Sequence, residues 1–167
     1  NTLEHLLVDQ VLPRFLAHEG ELLVHASALT IDGRTALFLG ESGWGKSTLA
    51  ALLHRAGHQL HSDDCVQLQR QGHCYFALPT YPSLRLLADS LDVTFPGAGG
   101  LAAVAGYSSK RRLPMVPPAL ATPPIAALYL LDEPSDDFRS VVIDAMRPAS
   151  ACLELMRHSF KLEVADR

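Results

Sequence analysis

The chain has 167 residues, 48% hydrophobic and 19% charged. That is enough for one domain with a real core, and it excludes a disordered chain. A net charge of −4 with histidines neutral excludes the global positive field that attracts nucleic acid or an anionic membrane, so neither is expected as a partner.

Leu3, Leu6, Leu7, Val11 and Phe15 recur at helical spacing and predict an amphipathic helix ending near Glu19-Gly20. The polar residues Glu4, His5 and Asp9 in this opening stretch argue against a signal peptide. Leu22–Ile31 reads as one apolar strand, Asp32-Gly33 as a hairpin turn, and Thr35–Leu39 as a short buried strand. Lys46–Ala56 reads as a helix with Leu49, Leu52 and Leu53 inward and Gly57 as its C-terminal cap. Short strands are predicted over His58–His61, Cys65–Gln69 and Cys74–Leu78. Residues 96–124, with Gly/Ala runs, the basic triplet Lys110–Arg112 and many prolines, read as a surface loop. Ile125–Leu131 and Phe138–Met146 read as strands about a Pro134–Asp137 turn, and Ala149–Phe160 as a closing helix. The mixture predicts a single α/β or α+β domain over 1–167, a mixed sheet with flanking helices. The first residue is not Met and Asp166-Arg167 carries no closing signal, so segments beyond both ends are expected.

Cys65, Cys74 and Cys152 are odd in number and lack C-x-x-C spacing, and no apolar run approaches the eighteen residues of a membrane span. Both observations suit reduced thiols and a cytoplasmic location. The eight histidines are scattered and do not suggest a metal cluster.

Gly40-Glu41-Ser42-Gly43-Trp44-Gly45-Lys46-Ser47 matches G-x-x-x-x-G-K-[ST] at every required position. Glycines let the backbone turn its N–H groups inward as an anion nest, and the helix that follows adds its positive end. Lys46 is a mobile cation for the β- and γ-phosphates, and Ser47 offers a hydroxyl to Mg²⁺. Such a match arises by chance in roughly one chain of this size per hundred, but here it lies between an apolar strand and a helix. ATP and Mg²⁺ are the expected cofactors, with Gly40–Thr48 (Gly40, Glu41, Ser42, Gly43, Trp44, Gly45, Lys46, Ser47, Thr48) as the nucleotide-binding segment.

Two acidic segments could serve the metal. Asp132-Glu133 after the apolar run Leu128–Leu131 resembles the Walker B segment of ABC-type ATPases, but no L-S-G-G-Q-like signature precedes it, and an acidic turn is the simpler reading. Ser62-Asp63-Asp64 lies sixteen and seventeen residues after Ser47. Together with His25-Ala26-Ser27, Ile31–Arg34, the P-loop and Gly57-His58, it resembles the catalytic domain of HPr kinase/phosphorylase. That bacterial serine kinase has a fold related to PEP carboxykinase. The similarity is greatest to the HPr-kinase-related proteins of peptide-modifying gene clusters, such as those that phosphorylate a serine of a lasso-peptide precursor. It covers about Val24 to Val66, and Tyr81–Leu86 and Lys110–Leu113 match more loosely.

The resemblance implies that Asp64 is general base on the acceptor hydroxyl, that Lys46 holds the phosphates, and that His25 is the active-site histidine. It also implies Mg²⁺ on Ser47, and Asp63 beside Asp64 is the candidate metal-side carboxylate. The implied activity is ATP-dependent phosphorylation of a serine in a peptide or protein, and a homo-oligomer is compatible with it. Two departures stand out. The family's further metal-binding Glu has no counterpart, and Arg85 is the only charged residue in the segment that replaces it. The arginine-bearing phosphorylase segment is not recognisable either. A nucleotide-binding module that transfers nothing is the competing reading. Arg85 and Lys110–Arg112 are candidate contacts for phosphates or an acidic peptide, or else solvated loop residues.

Overall fold

The computed structural model describes residues 2–80, 83–98, 100–116, 122–135 and 140–161. Its centre is a four-stranded sheet in the order β4-β2-β3-β9. β2 (Ala26–Ile31) and β3 (Arg34–Leu39) form the predicted hairpin, with Ile31 paired to Arg34. Asp32 and Gly33 both have positive φ, 48° and 75°, the signature of a two-residue primed turn. β4 (Gln59–Ser62) pairs antiparallel with β2, and β9 (Ile125–Leu130) runs parallel to β3.

Side-chain alternation gives the sheet two buried faces. Leu29, Ala36, Phe38 and Leu60 pack on one face against helix α3 (Lys46–Arg55), α4 (Ala88–Thr94) and β7 (Ser83–Leu86). Ala26, Ala28, Leu37 and Leu39 pack on the other against Val66, Leu68 and Ala77. Those three belong to a second, antiparallel sheet of β1 (Leu22–Val24), β5 (Val66–Gln71) and β6 (Cys74–Leu78). This is a mixed α/β arrangement with helices α3 and α4 on one face of the central sheet and Leu155 of the closing helix packed on the other, as the sequence predicts.

Several expectations are corrected. The predicted strand Leu22–Ile31 is broken at His25: β1 pairs in one sheet and β2 in the other. On α3 the inner face is Ala50 and Ala51, flanked by Leu49 and Leu53, while Leu52 is exposed. Small residues let the helix lie close to the sheet. The stretch 96–124 is more than a surface loop. Val104 and Ala105 are buried, and β8 (Arg111–Pro114) pairs antiparallel with β7. Residues 140–146 form no strand, and Val141–Ile143 are exposed. Phe138, the acidic pair Asp136-Asp137, Tyr81-Pro82 and 117–121 lie outside the described residues. The closing helix α5 spans Pro148–Arg157.

The opening helix is the largest correction. It is α1 (Thr2–His5), a π-helical stretch (Leu6–Val11) and α2 (Leu12–His18), ending at Gly20 as predicted. Pro13 lacks an N–H for the ordinary ladder, and the widened turns precede it. The predicted apolar face is the outer one, with Leu3 73% and Phe15 54% exposed. His5 and Pro13 are buried, and the side chain of Asp9 is only 8% exposed.

Candidate functional site

β3 runs straight into the glycine-rich segment, and α3 leaves it. Gly43 and Gly45 have φ of 91° and 90°, which L side chains rarely adopt. A Cβ on Gly40 would meet Leu131 at 3.3 Å and Trp44 at 3.4 Å, so glycine is needed for close approach to the strand alongside. The first amides of α3 have no carbonyl within the helix to bond, so they remain open to an anion. Lys46 is buried, and its Nζ donates to the carbonyls of Gly40 (2.8 Å) and Glu41 (3.0 Å). Burial lowers the pKa of Lys46, and Lys110 adds to the effect, while Asp64 and Asp63 oppose it. The ammonium is thus held by weak neutral acceptors, which an anionic phosphate can displace.

Ser42, Gly43, Gly45, Lys46, Ser47 and Thr48 line one cavity, and His25 and Asp64 close it from the opposite side. Thr48 Oγ1 donates to Ser90 Oγ at 3.2 Å, tying the loop to α4. Glu41 and Trp44 instead line a neighbouring cavity with Leu131 and Asp132. Trp44 therefore packs beside the loop, and Asp132 lines this neighbouring cavity rather than the one of Lys46 and Ser47.

β4 delivers the acid pair. Asp63 is fully buried behind Ser47 and accepts from Ser47 Oγ (3.1 Å) and Ser27 Oγ (2.6 Å) on Oδ1. Its Oδ2 accepts from the backbone N–H of Arg85 at 3.3 Å. Burial, reinforced by the charge of Asp64, pushes its pKa up to about 6 even so. A buried carboxylate beside a P-loop hydroxyl, with too little positive charge to hold its own, is a hard oxygen donor set of the kind that accepts Mg²⁺. The residues fit the ion. Asp64 has φ 71°, a conformation costing a non-glycine residue roughly 1–3 kcal/mol and characteristic of constrained functional positions.

That turn aims the Asp64 carbonyl at His25 Nδ1, 2.8 Å away. A ring nitrogen facing a carbonyl must carry the proton, so Nε2 is the acceptor. Burial, and then the charge of Lys46, lower the His25 pKa. The imidazole is therefore neutral at neutral pH. The break between β1 and β2 lets His25 face the cavities, and the edge of Phe160 packs on its ring at 6.4 Å.

The sequence suggested Arg85 and Lys110 without locating them. Arg85 is buried on β7. Its guanidinium bonds Asp64 Oδ2 at 3.0 Å and also pairs with Asp9, which bonds His5 in turn. Burial opposes its charge, but Asp64 and Asp9 outweigh that and raise its pKa. Asp9 was missed altogether. Its signal is a lone acid opposite the apolar stripe of a helix, which ordinarily marks a solvent face. Asp64, His25, Arg85 and Lys110 also line a second cavity of about 240 Å³, bounded on its far side by His5, Asp9 and Gln10. Those four side chains form a wall between two chambers, one facing the P-loop and one facing the opening helix.

No family model matches the chain. It is 37% identical over 95 residues to the HPr kinase/phosphorylase of Bordetella pertussis, a stretch covering 53% of this chain and 28% of that protein. Over 64 residues it is 38% identical to the HPr kinase/phosphorylase of Mycoplasmopsis pulmonis, covering 38% of this chain and 21% of the relative. The HPr(Ser) kinase/phosphatase of Coxiella burnetii, a solved structure, matches at 28% identity over 43% of this chain and 53% of that one, with a TM-score of 0.36. The matched stretches are thus under a third of the length of these curated relatives. Over the stretch they share, the chain is similar to HPr kinase/phosphorylases.

Proposed function

We propose that this protein is an ATP- and Mg²⁺-dependent kinase that transfers the γ-phosphoryl group to a serine-type hydroxyl of a peptide or protein. The observation that carries it is the wall between the two chambers: Ser47 bonded to Asp63 on the nucleotide side, and Asp64 open to both sides. Phosphoryl transfer needs positioning and charge neutralisation more than covalent chemistry, and this wall supplies both. Lys46 and the loop amides bind the phosphates. Ser47 and Asp63 would hold Mg²⁺, which neutralises charge on the phosphate oxygens when bound. Asp64 takes the proton of the acceptor hydroxyl as its oxygen bonds to the γ-phosphorus and the bond to the β-phosphate bridge oxygen breaks, releasing ADP. Neutral His25 fixes the Asp64 backbone through its Nδ1–H. A ribosomally made precursor peptide of the lasso type suits the resemblance, as does a cytoplasmic location.

A second reading has its own support. Arg85 donates to Asp64 Oδ2 at 3.0 Å, so that oxygen is already engaged and not free for an acceptor hydroxyl, as suits a nucleotide-binding module that transfers nothing. Asp64→Asn separates the two. Mass spectrometry of serine-containing candidate peptides incubated with Mg-ATP should show transfer slowed ~10²–10⁴-fold in the variant, with nucleotide affinity nearly unchanged by calorimetry. Equal rates remove Asp64 as base. ATP binding with no transfer to any acceptor by the wild type favours the module.

A further inference from the structure

We propose that Lys110 is a second cation on the transferred phosphoryl group, acting from the wall opposite Lys46. This rests on the kinase reading for its chemistry, but not for its test. Among the described residues, Lys110 lines both chambers together with His25, Asp64 and Arg85. A group crossing from the nucleotide to an acceptor passes that boundary, so a charge there meets the phosphoryl at mid-transfer.

The other cations of the site are committed differently. Lys46 belongs to the loop and stays with the β- and γ-phosphates. Arg85 is neutralised by Asp64 and Asp9. No carboxylate among the described residues pairs with the Lys110 ammonium, although the site holds Asp9, Asp63 and Asp64. A lysine that lines a cavity with Asp9 and Asp64 and pairs with neither has its charge available for a ligand.

Its backbone is fixed. The Lys110 carbonyl accepts from Val104 N–H at 3.0 Å, its own N–H donates to Ser108 Oγ at 3.2 Å, and Arg111 begins β8. Val104 is buried, so the anchor is part of the core. The flexible side chain can then reach either chamber from a rigid base, as a mobile point charge should. The charge already acts across the site, because it lowers the pKa of both His25 and Lys46. Charge stabilisation of this kind is worth most where charge spreads over the transferring oxygens.

The test uses Mg-ADP and the non-transferable analogue Mg-AMP-PNP as probes, titrated calorimetrically into the wild type, Lys110→Ala and Lys110→Arg. A contact to the third phosphate is present with one nucleotide and absent with the other. Lys110→Ala should lower AMP-PNP affinity roughly 10-fold or more, as loss of a charge-assisted hydrogen bond does, and leave ADP affinity within two-fold. Lys110→Arg should restore most of the difference. Equal loss for both nucleotides, or no loss for either, overturns the proposal. A misfolded variant would lose both and show a lowered melting temperature, in which case Lys110→Gln decides by the same ratio. A wild type that distinguishes the nucleotides through Lys110 yet phosphorylates nothing would sink the kinase reading and leave only the Lys110 contact to the third phosphate standing.

Discussion

The two walls of the site are built in opposite ways. The P-loop wall comes from one contiguous run, Gly40–Ser47, in which each residue is positioned by its immediate neighbours: glycines at positive φ, then a helix start. The facing wall is assembled from distant elements: His25 between sheets, Asp64 after β4, Arg85 on β7 and Lys110 before β8, with Asp9 of the opening helix behind it. One wall is a local motif. The other exists only when the sheets pack, and there charges are held by charges: Arg85 links Asp64 to Asp9, and Asp9 holds His5. A change in the local wall should therefore cost ligand and spare the fold, whereas removing the cation that ties the assembled wall together should cost the fold as well.

The largest expected effect tests the first half of that contrast. Lys46→Ala should reduce Mg-ATP affinity by about 100-fold or more, through loss of charge-assisted bonds to two phosphates, while the melting temperature shifts by only a few degrees. Its two bonds in the present structure go to loop carbonyls that water can reach once the side chain is gone. Calorimetry showing unchanged ATP binding would remove the loop from the site.

Arg85→Met tests the second half. It leaves the partly buried carboxylates of Asp9 and Asp64 without their shared cation, and the cost is at most the roughly 3–5 kcal/mol of breaking a fully buried pair. Urea denaturation should show it. Asp9→Asn should cost less, because Arg85 keeps Asp64. If Arg85→Met is as stable as the wild type, the opening helix is not tied to the site through this network.

The smallest effect is a pH dependence at Asp63. Its pKa is raised in the fold to about 6 by burial and by Asp64, so the native state holds the proton more tightly than the unfolded chain. The resulting stability is present below the ordinary carboxylate pKa and is lost as pH rises through about 6. Without metal, the melting temperature of the wild type should therefore fall relative to Asp63→Asn between pH 4 and pH 7. Mg-nucleotide should narrow that gap at pH 7, where the carboxylate is ionised and can take the ion. A gap that is flat with pH would show that Asp63 does not titrate there.

How legible each part was in the sequence follows from the same division. The hairpin at Asp32-Gly33, the helix after Lys46 and the Gly57 cap were readable because each is a short-range signal. Gly57 has φ 100°, and His58 N–H bonds the Leu53 carbonyl, as such a cap requires. The opening helix was readable as a helix but not in orientation. Periodicity reports which residues share a face and is silent on which face turns inward, and here Asp9 finds a cation that lies 76 residues away. The break at His25 escaped for a related reason. Val24 and Ala26 are both buried and apolar, so the run reads as one strand until its halves find different partners.

The sequence by itself determined the phosphate cradle, the acid pair that follows it by one helix and one strand, and the mixed α/β character. These are encoded in neighbouring residues whose backbone preferences and spacing act within a few turns of chain. Only the tertiary structure decided that Asp64 faces a second chamber as well as the first, that Asp9 reaches Arg85, and that Arg85 and Lys110 join the same wall. A charge is placed by the opposite charges and the burial around it, and those come from segments that meet only when the sheets close.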